Sequence, residues 1–349
     1  MRKEIPWINW AKMLCIVFIY INHSEIYLQS FLPHRSLYLP FFVNTFFIIS
    51  GYLFFKSHVQ AVPSTVGPSE EMKKRRRLLG NIFFRLMVPS MLFAAINFFP
   101  KKLLRGESVL LGDALHDTLL GGSMWFTNAL AVAELLLCIP LFLGIRNRWA
   151  YLLYSSSLTL LAYIFYLSDT ALATSTVPMF YKSGMCATLL LTLGGFYLLF
   201  EQRADRLFKG WTAAVLPLAL VGYVFCCEHC FDIYSGALDY QPLTVGGLPF
   251  ILVSTCLVVT LCKWLPAHRW ADYWGRHTIG LYFFCGALPN VMAMVLSRLH
   301  LPQVCLVPVC ALLSLLVALT IVYLLNRFVP WVFDLRLLKK SATMKAPVC

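Results

Sequence analysis

The sequence predicts an all-α fold, a polytopic integral membrane helical bundle of about ten transmembrane helices, and three observations predict it. Of 349 residues, 59% are apolar and 13% charged, with a mean hydropathy of +0.72. A water-soluble globule of that size needs more polar surface than this composition supplies. Apolar stretches of about 20 residues, the length that crosses a hydrocarbon core of about 30 Å, recur along the whole chain. The third observation is the charge pattern: the net charge of +13 is carried by short basic clusters between the apolar stretches. That placement suits headgroup anchors rather than a nucleic-acid surface.

In order, the apolar stretches fall near 5–23, 37–55, 80–99, 124–143, 149–168, 183–200, 211–227, 246–264, 278–297 and 303–329. Ten spans take up about 200 residues, so the remainder is loops and tails with no room for a separate soluble domain. The organisation is therefore one transmembrane domain, 1–335, and a short basic tail, 336–349. An even number of spans puts both termini on one side. Of the 29 Lys and Arg residues, 20 then share that side, including Lys73 to Arg77, and six lie opposite, while Lys12, Arg85 and Arg327 stay in or at the edge of spans. This bias places both termini in the cytoplasm. The first span follows a basic pair, but it contains Lys12 and ends in I-N-H-S-E without a small-residue cleavage site, so it reads as retained. The loop 57–79 joins a turn-rich S-T-V-G-P-S to E-E-M-K-K-R-R-R, and its cations read as resting on anionic headgroups. No repeat, P-loop or dinucleotide fingerprint is present.

Most of the 12 cysteines sit within apolar stretches and read as small buried hydrophobes. The cluster F-C-C-E-H-C-F, with Cys226, Cys227 and Cys230, has tighter spacing than zinc ligands use and no second half elsewhere. It reads as buried thiols or one disulfide, and no metal site is expected.

Ionisable groups inside spans are costly in hydrocarbon and mark candidate sites. Lys12 and His23 are eleven residues apart, within about 20° of three full helical turns, so they share one helix face about 16 Å apart. Asn9 lies one turn below Lys12 on that face. The bland reading is a Lys12 that snorkels to headgroups and a His23 that caps the span. Arg85, in I-F-F-R-L-M-V-P, fits a headgroup anchor or an inward cation equally well. Glu134, in L-A-V-A-E-L-L-L, is mid-span and must be paired, protonated or facing a wet cavity; Lys12 and Arg85 are its economical partners. Asn44, Asn97 and Asn128 read as interhelical hydrogen-bond donors.

The segment K-M-L-C-I-V-F-I-Y-I-N-H resembles the basic residue, ten residues, histidine pattern that opens the membrane acyltransferase-3 family, integral membrane O-acyltransferases of bacterial surface polysaccharides and related acceptors. Four more segments follow in the family's order. P-F-F-V-N-T-F-F-I-I-S-G-Y-L (40–53) is similar to its second-span signature, and F-F-R-L-M-V-P (83–89) to its third-span entry. M-W-F-T-N-A-L (124–130) resembles its W-F-L span, and T-I-G-L-Y-F-F-C (278–285) its late S-L-x-I-Y-L-x-H segment. The resemblance covers about residues 5–330. The chain departs from the family at three places: Lys12 replaces an Arg, Ile82 stands where a second Arg often precedes Arg85, and Cys285 replaces the late histidine. Lysine keeps the charge but loses the bidentate fork.

The resemblance implies a protein of the cell (inner) membrane that takes an acyl group, acetyl in the simplest case, from acyl-coenzyme A. The acceptor it implies is a hydroxyl of a cell-surface glycan or a lipid-linked sugar. Acyl-coenzyme A is then a donor substrate, and no permanently bound cofactor is expected. Acyl transfer to a hydroxyl needs a base, a grip on the donor and positive charge or hydrogen-bond donors at the oxyanion. His23 is the natural base because its ordinary pKa lies near neutrality. Lys12 and Arg85 are the candidate ligands of the donor phosphates, and Glu134 the group that orients the base or balances the cations. A secondary transporter lined by the same residues is the alternative, although no matching pair of short, Gly/Pro-interrupted spans stands out in the two halves.

Overall fold

The structure is a computed structural model that describes residues 5–33, 35–60, 68–104, 108, 111–120, 124–168, 178–207, 218, 221–223, 225–226, 247–298 and 302–337. Among them there is no strand, and the chain is a multi-pass helical membrane protein. The helices are α1 (Pro6–Leu28), α2 (Asn44–Phe54), α3 (Pro68–Ile82), α4 (Val88–Leu104), α5 (Leu111–Leu120) and α6 (Trp125–Phe142). They continue as α7 (Arg148–Ser168), α8 (Tyr181–Leu207), α9 (Gly247–Trp264), α10 (Arg269–Phe284), α11 (Ala287–Leu296) and α12 (Gln303–Phe328).

Among the described residues six segments are long and apolar enough to cross a membrane: Ser69–Phe99, Trp125–Phe142, Arg148–Leu167, Tyr181–Arg206, Gly247–Trp264 and Val304–Phe328. The pair α10 and α11, bent by 67°, makes a seventh if it is one span. The ten-span expectation is therefore not reached among the described residues, for three reasons. The stretch 211–227 lies mostly outside them. The second predicted span, 37–55, is helical only from Asn44, and α2 has 11 residues before a π-helical turn over Phe55–Val59. With 23 residues α1 is long enough, but it carries Asn9, Lys12, Asn22, His23 and Glu25 and is absent from the apolar set. The polar residues that keep α1 out of that set are the ones that make it a candidate site.

Local chemistry explains the helix limits. Pro6 opens α1, where its missing N–H costs nothing, and Gln29 closes it in the left-handed conformation (φ 49°), with its N–H on the Glu25 and Ile26 carbonyls. The break between α10 and α11 falls at Cys285 and Gly286, because Pro289 has no N–H to offer the carbonyl four residues back, that of Cys285. The π-helical turn Phe83–Met87 has the same origin: Pro89 cannot bond the Arg85 carbonyl, and the chain widens by one residue, with the Val88 N–H reaching the Phe83 carbonyl.

The packing divides into two compact units. One comprises Met1–Lys56, Leu190–Leu238 and Leu243–Leu319; the other comprises Ser57–Leu189, Asp239–Pro242 and Thr320–Cys349. In the first, α1 is the central element and packs on α2, α9, α10 and α11. Its α2 lies against the part of α8 within this unit at very short range. A side-chain carbon on Gly51 would lie 1.8 Å from the Leu191 carbonyl oxygen, and one on Gly194 would lie 1.9 Å from that of Ile48. In the second unit α3 continues through the π-helical turn into α4, and α6 packs on both α3 and that turn.

Candidate functional site

Because α1 is one unbroken helix, Lys12 and His23 do share a face, about 16 Å apart along the axis. Both side chains are half-buried, not sealed in the core. Below Lys12, the Asn9 amide donates to the Asp272 carboxylate at 2.9 Å, and α10 comes this close because residue 275 is glycine; a side-chain carbon there would lie 2.5 Å from Asn9 Cα. The Trp10 indole donates to the Pro266 carbonyl at 2.8 Å, and the Tyr20 hydroxyl to the Leu281 carbonyl at 2.8 Å. These three bonds hold α1 to α10 and the segment before it over much of its length.

His23 lies at the C-terminal end of α1, its ring stacked on Tyr27 with centroids 6.2 Å apart and planes 19° apart. The Tyr27 hydroxyl is 3.9 Å from where a side chain on Gly286 would begin, so the break between α10 and α11 stands beside this stack. Irregular backbone at membrane depth occurs where it is buried in protein or lines a wet cavity. Cys285, the residue in place of the family's late histidine, is buried at this break.

Two residues beyond His23 is a feature that sequence reasoning missed. Glu25 is fully buried and accepts from the Leu32 N–H at 2.9 Å and from the Tyr38 hydroxyl, while Arg35 Nε lies 3.1 Å from it. Arg35 also donates to Asn22 at 2.8 Å and lies over the Phe31 ring. This clasp ties the turn after α1 back to the helix end that carries His23. It was overlooked because the expected span stopped at residue 23, which left Glu25 outside; the signal available was an acidic residue two positions after the histidine.

At the other end of α1, Lys263 is held between the rings of Trp7 and Tyr197, at 5.4 and 5.3 Å from their centroids. It pairs with Glu201 at 3.0 Å and Asp205 at 2.7 Å, and the Tyr52 hydroxyl donates to Glu201 at 2.7 Å. Its charge and hydrogen bonds are met internally, which makes this cluster a joint among α1, α2, α8 and α9.

Arg85 and Glu134 both belong to the second unit. Arg85 projects from the π-helical turn with its side chain 58% exposed, lies 3.9 Å from Asp334, and its charge reaches Glu134, which is half-buried on α6. No ion pair joins Arg85 to Glu134 among the described residues, and only the charge of Arg85 bears on it. Asp334 is the second residue that sequence reasoning missed. It receives Arg336 hydrogen bonds of 2.6 and 2.8 Å, and Arg336 also donates to Asn81. Burial alone would raise the Asp334 carboxyl, but the Arg336 hydrogen bonds and the Arg336 and Arg85 charges outweigh it and hold it below its usual range. Of the asparagines expected to bridge helices, Asn44 donates locally, to the Pro40 carbonyl at 2.9 Å. A Thr45–Thr255 contact of 3.2 Å joins α2 to α9. Among the described residues no group of His, Cys, Asp and Glu is arranged to hold a metal, and Cys227 and Cys230 lie outside them.

The fold and these groups define a multi-pass membrane protein with a basic residue and a histidine on one helix face. The family model described as an acyltransferase domain, acyltransferase-3, matches residues 5–326, nearly the whole chain, and the protein belongs to that family. No curated protein and no solved structure matches it.

Proposed function

We propose that the protein is an integral membrane O-acyltransferase that moves an acyl group, acetyl in the simplest case, from acyl-coenzyme A to a hydroxyl of a cell-surface glycan or lipid-linked sugar. The observation that carries this reading is the unbroken α1, with Lys12 and His23 on one face, in a chain that the acyltransferase family model spans. His23 takes the proton of the acceptor hydroxyl as its oxygen attacks the thioester carbonyl. As the tetrahedral intermediate collapses, the carbon–sulfur bond breaks and the imidazolium returns its proton to the departing coenzyme A thiolate. Lys12, about three turns away, holds donor phosphates, and Arg85 is assigned the same role. Glu134 is assigned to balancing Arg85, whose charge reaches it. With both termini cytoplasmic, as the distribution of cations suggests, the donor enters from the cytoplasmic side.

A secondary transporter draws support from the 67° bend between α10 and α11, since broken helices line transport sites. Membership in an acyltransferase family favours the enzyme. The two readings separate when membranes holding the protein are supplied with labelled acetyl-coenzyme A. The enzyme labels an acceptor in proportion to donor, and His23→Ala lowers that rate by about 10² to 10⁴ while expression and coenzyme A binding persist. Turnover undiminished in His23→Ala removes His23 from the mechanism, and solute uptake without acyl transfer replaces the enzyme by the transporter.

A further inference from the structure

We propose that the outward face of α3 and of the π-helical turn after it is a binding site for an anionic phospholipid, its phosphate held by Arg76 and Arg77 and its acyl chains lying along Phe83 and Phe84. The basic run Lys73 to Arg77 is not one uniform cloud of charge. Arg75 turns inward: it pairs with Glu71 at 2.6 Å, donates to the Phe142 carbonyl at 2.8 Å and lies over the Phe142 ring. Arg146 also reaches Glu71, at 3.3 Å. Lys73, Arg76 and Arg77 are exposed, and among the described residues no carboxylate pairs with them. Their i, i+3, i+4 spacing puts them on one face.

The same face continues downward with a change of chemistry. Seven residues return a helix to within about 20° of its starting direction, so residue 80 lies below Lys73, Phe83 below Arg76 and Phe84 below Arg77. Position 80 is glycine, and a side-chain carbon there would meet nothing within 4 Å, so the surface between the cations and the rings is open. Phe83 and Phe84 are 46% and 37% exposed and pack edge to face, 5.1 Å between centroids.

Depth then selects the occupant. The apolar stretch begins at about residue 80, and at about 1.5 Å per residue Arg76 and Arg77 stand about 4.5–6 Å above it. That is within a headgroup layer about 5–8 Å thick. The two phenylalanines lie about as far below residue 80, in the hydrocarbon. A free phosphate or coenzyme A uses the cations but has nothing for the rings; an anionic phospholipid satisfies both, with its glycerol over the open surface at Gly80.

Native mass spectrometry of the full-length protein, extracted from phosphatidylcholine nanodiscs containing about a third phosphatidylglycerol, tests this. Each basic group at the surface is worth roughly a fivefold change in affinity for anionic lipid. Arg76→Gln with Arg77→Gln should therefore lower retained phosphatidylglycerol by about 20- to 30-fold and leave phosphatidylcholine unchanged. Gly80→Leu, which puts a branched side chain on the open surface between the cations and the rings, should lower it with every charge still present. Arg203→Gln, an exposed cation on another helix, should not. The proposal is overturned if phosphatidylglycerol survives in the paired variant or in Gly80→Leu, or if Arg203→Gln loses it equally. It is also overturned if the paired variant keeps the lipid and loses coenzyme A affinity instead, since the cations would then serve the donor. None of these outcomes depends on acyl transfer being observed.

Discussion

Lys12 turns the geometry of α1 into a quantitative test. If its ammonium holds a donor phosphate, Lys12→Ala removes a hydrogen bond between charged groups worth about 1.5–3 kcal/mol. At about 1.4 kcal/mol per factor of ten, coenzyme A should bind roughly 10- to 100-fold more weakly, with little effect on the acceptor. Lys12→Arg should match or exceed the native affinity, because a guanidinium offers phosphate two parallel bonds, and Lys12→Glu should be worse than alanine. The decisive variant exchanges neighbours, Lys12→Met with Met13→Lys, both at half-buried positions, so charge and side-chain composition are conserved. One residue rotates the lysine by about 100°, which at a helix radius of about 5–6 Å carries its head about 8 Å around the axis, beyond hydrogen-bonding reach. The exchanged variant should therefore bind donor like Lys12→Ala. A snorkelling anchor, whose ammonium needs only headgroups at the level of the helix end, predicts no loss of donor affinity. Isothermal titration of coenzyme A into detergent-solubilised protein reads all four variants, and equal affinity in all of them would refute the donor role.

Two further expectations concern structure. Gly194→Ala places a carbon 1.9 Å from the Ile48 carbonyl oxygen and 2.8 Å from the Tyr52 nitrogen. Because both are backbone atoms, α2 and α8 must part by roughly an ångström, an overpacking cost of about 1–3 kcal/mol or more. Thermal unfolding in detergent should show a clear drop, and an unchanged midpoint would mean that the two helices do not meet there. Asp334 supplies a pH dependence: its folded pKa is depressed, so its contribution is complete above the unfolded value of about 3.9 and is lost as pH falls through the folded one. Hydrogen-exchange protection of 330–337 should fall on acidification below about pH 4, and Asp334→Asn should remove that pH dependence; a persisting acid transition in the variant would assign it to another group.

How far the sequence could be read depended on the range of the interactions involved. The helical membrane class follows from composition, and the shared face of Lys12 and His23 follows from spacing, because both are properties of the chain itself. Span boundaries were less legible. Helix α1 runs five residues past the expected end, because an apolar window stops at His23 while hydrogen bonding to Leu32 and Tyr38 stabilises Glu25 inside the fold. The π-helical turn at Arg85 could not be seen from periodicity, since five residues are too few to separate its pitch from that of an α-helix; the clue was Pro89 four positions later. The environment of Arg85 depends on Asp334, almost 250 residues away in the chain, and no local pattern announces such a pairing.

The structure also separates the family signature into residues that build the fold and ionisable residues that an apolar span does not need. Gly51 of S-G-Y-L is where α8 approaches within a side-chain radius, and Tyr52 donates to Glu201. In F-F-R-L-M-V-P, Pro89 produces the widened turn, while Thr127 of M-W-F-T-N-A-L accepts from Ser90 at 2.6 Å and Leu281 of the late segment accepts from Tyr20. Substituting these residues should disturb the fold whatever the chemistry, so loss of activity at any of them would carry little information about mechanism. Lys12, His23 and Arg85 differ, because each remains half-buried or exposed at a position where an apolar residue would cost the membrane less. Lys12, His23 and Arg85 are therefore the positions at which loss of activity informs on acyl transfer, and the Lys12 exchange, which conserves charge and side-chain composition, is the sharpest test among them.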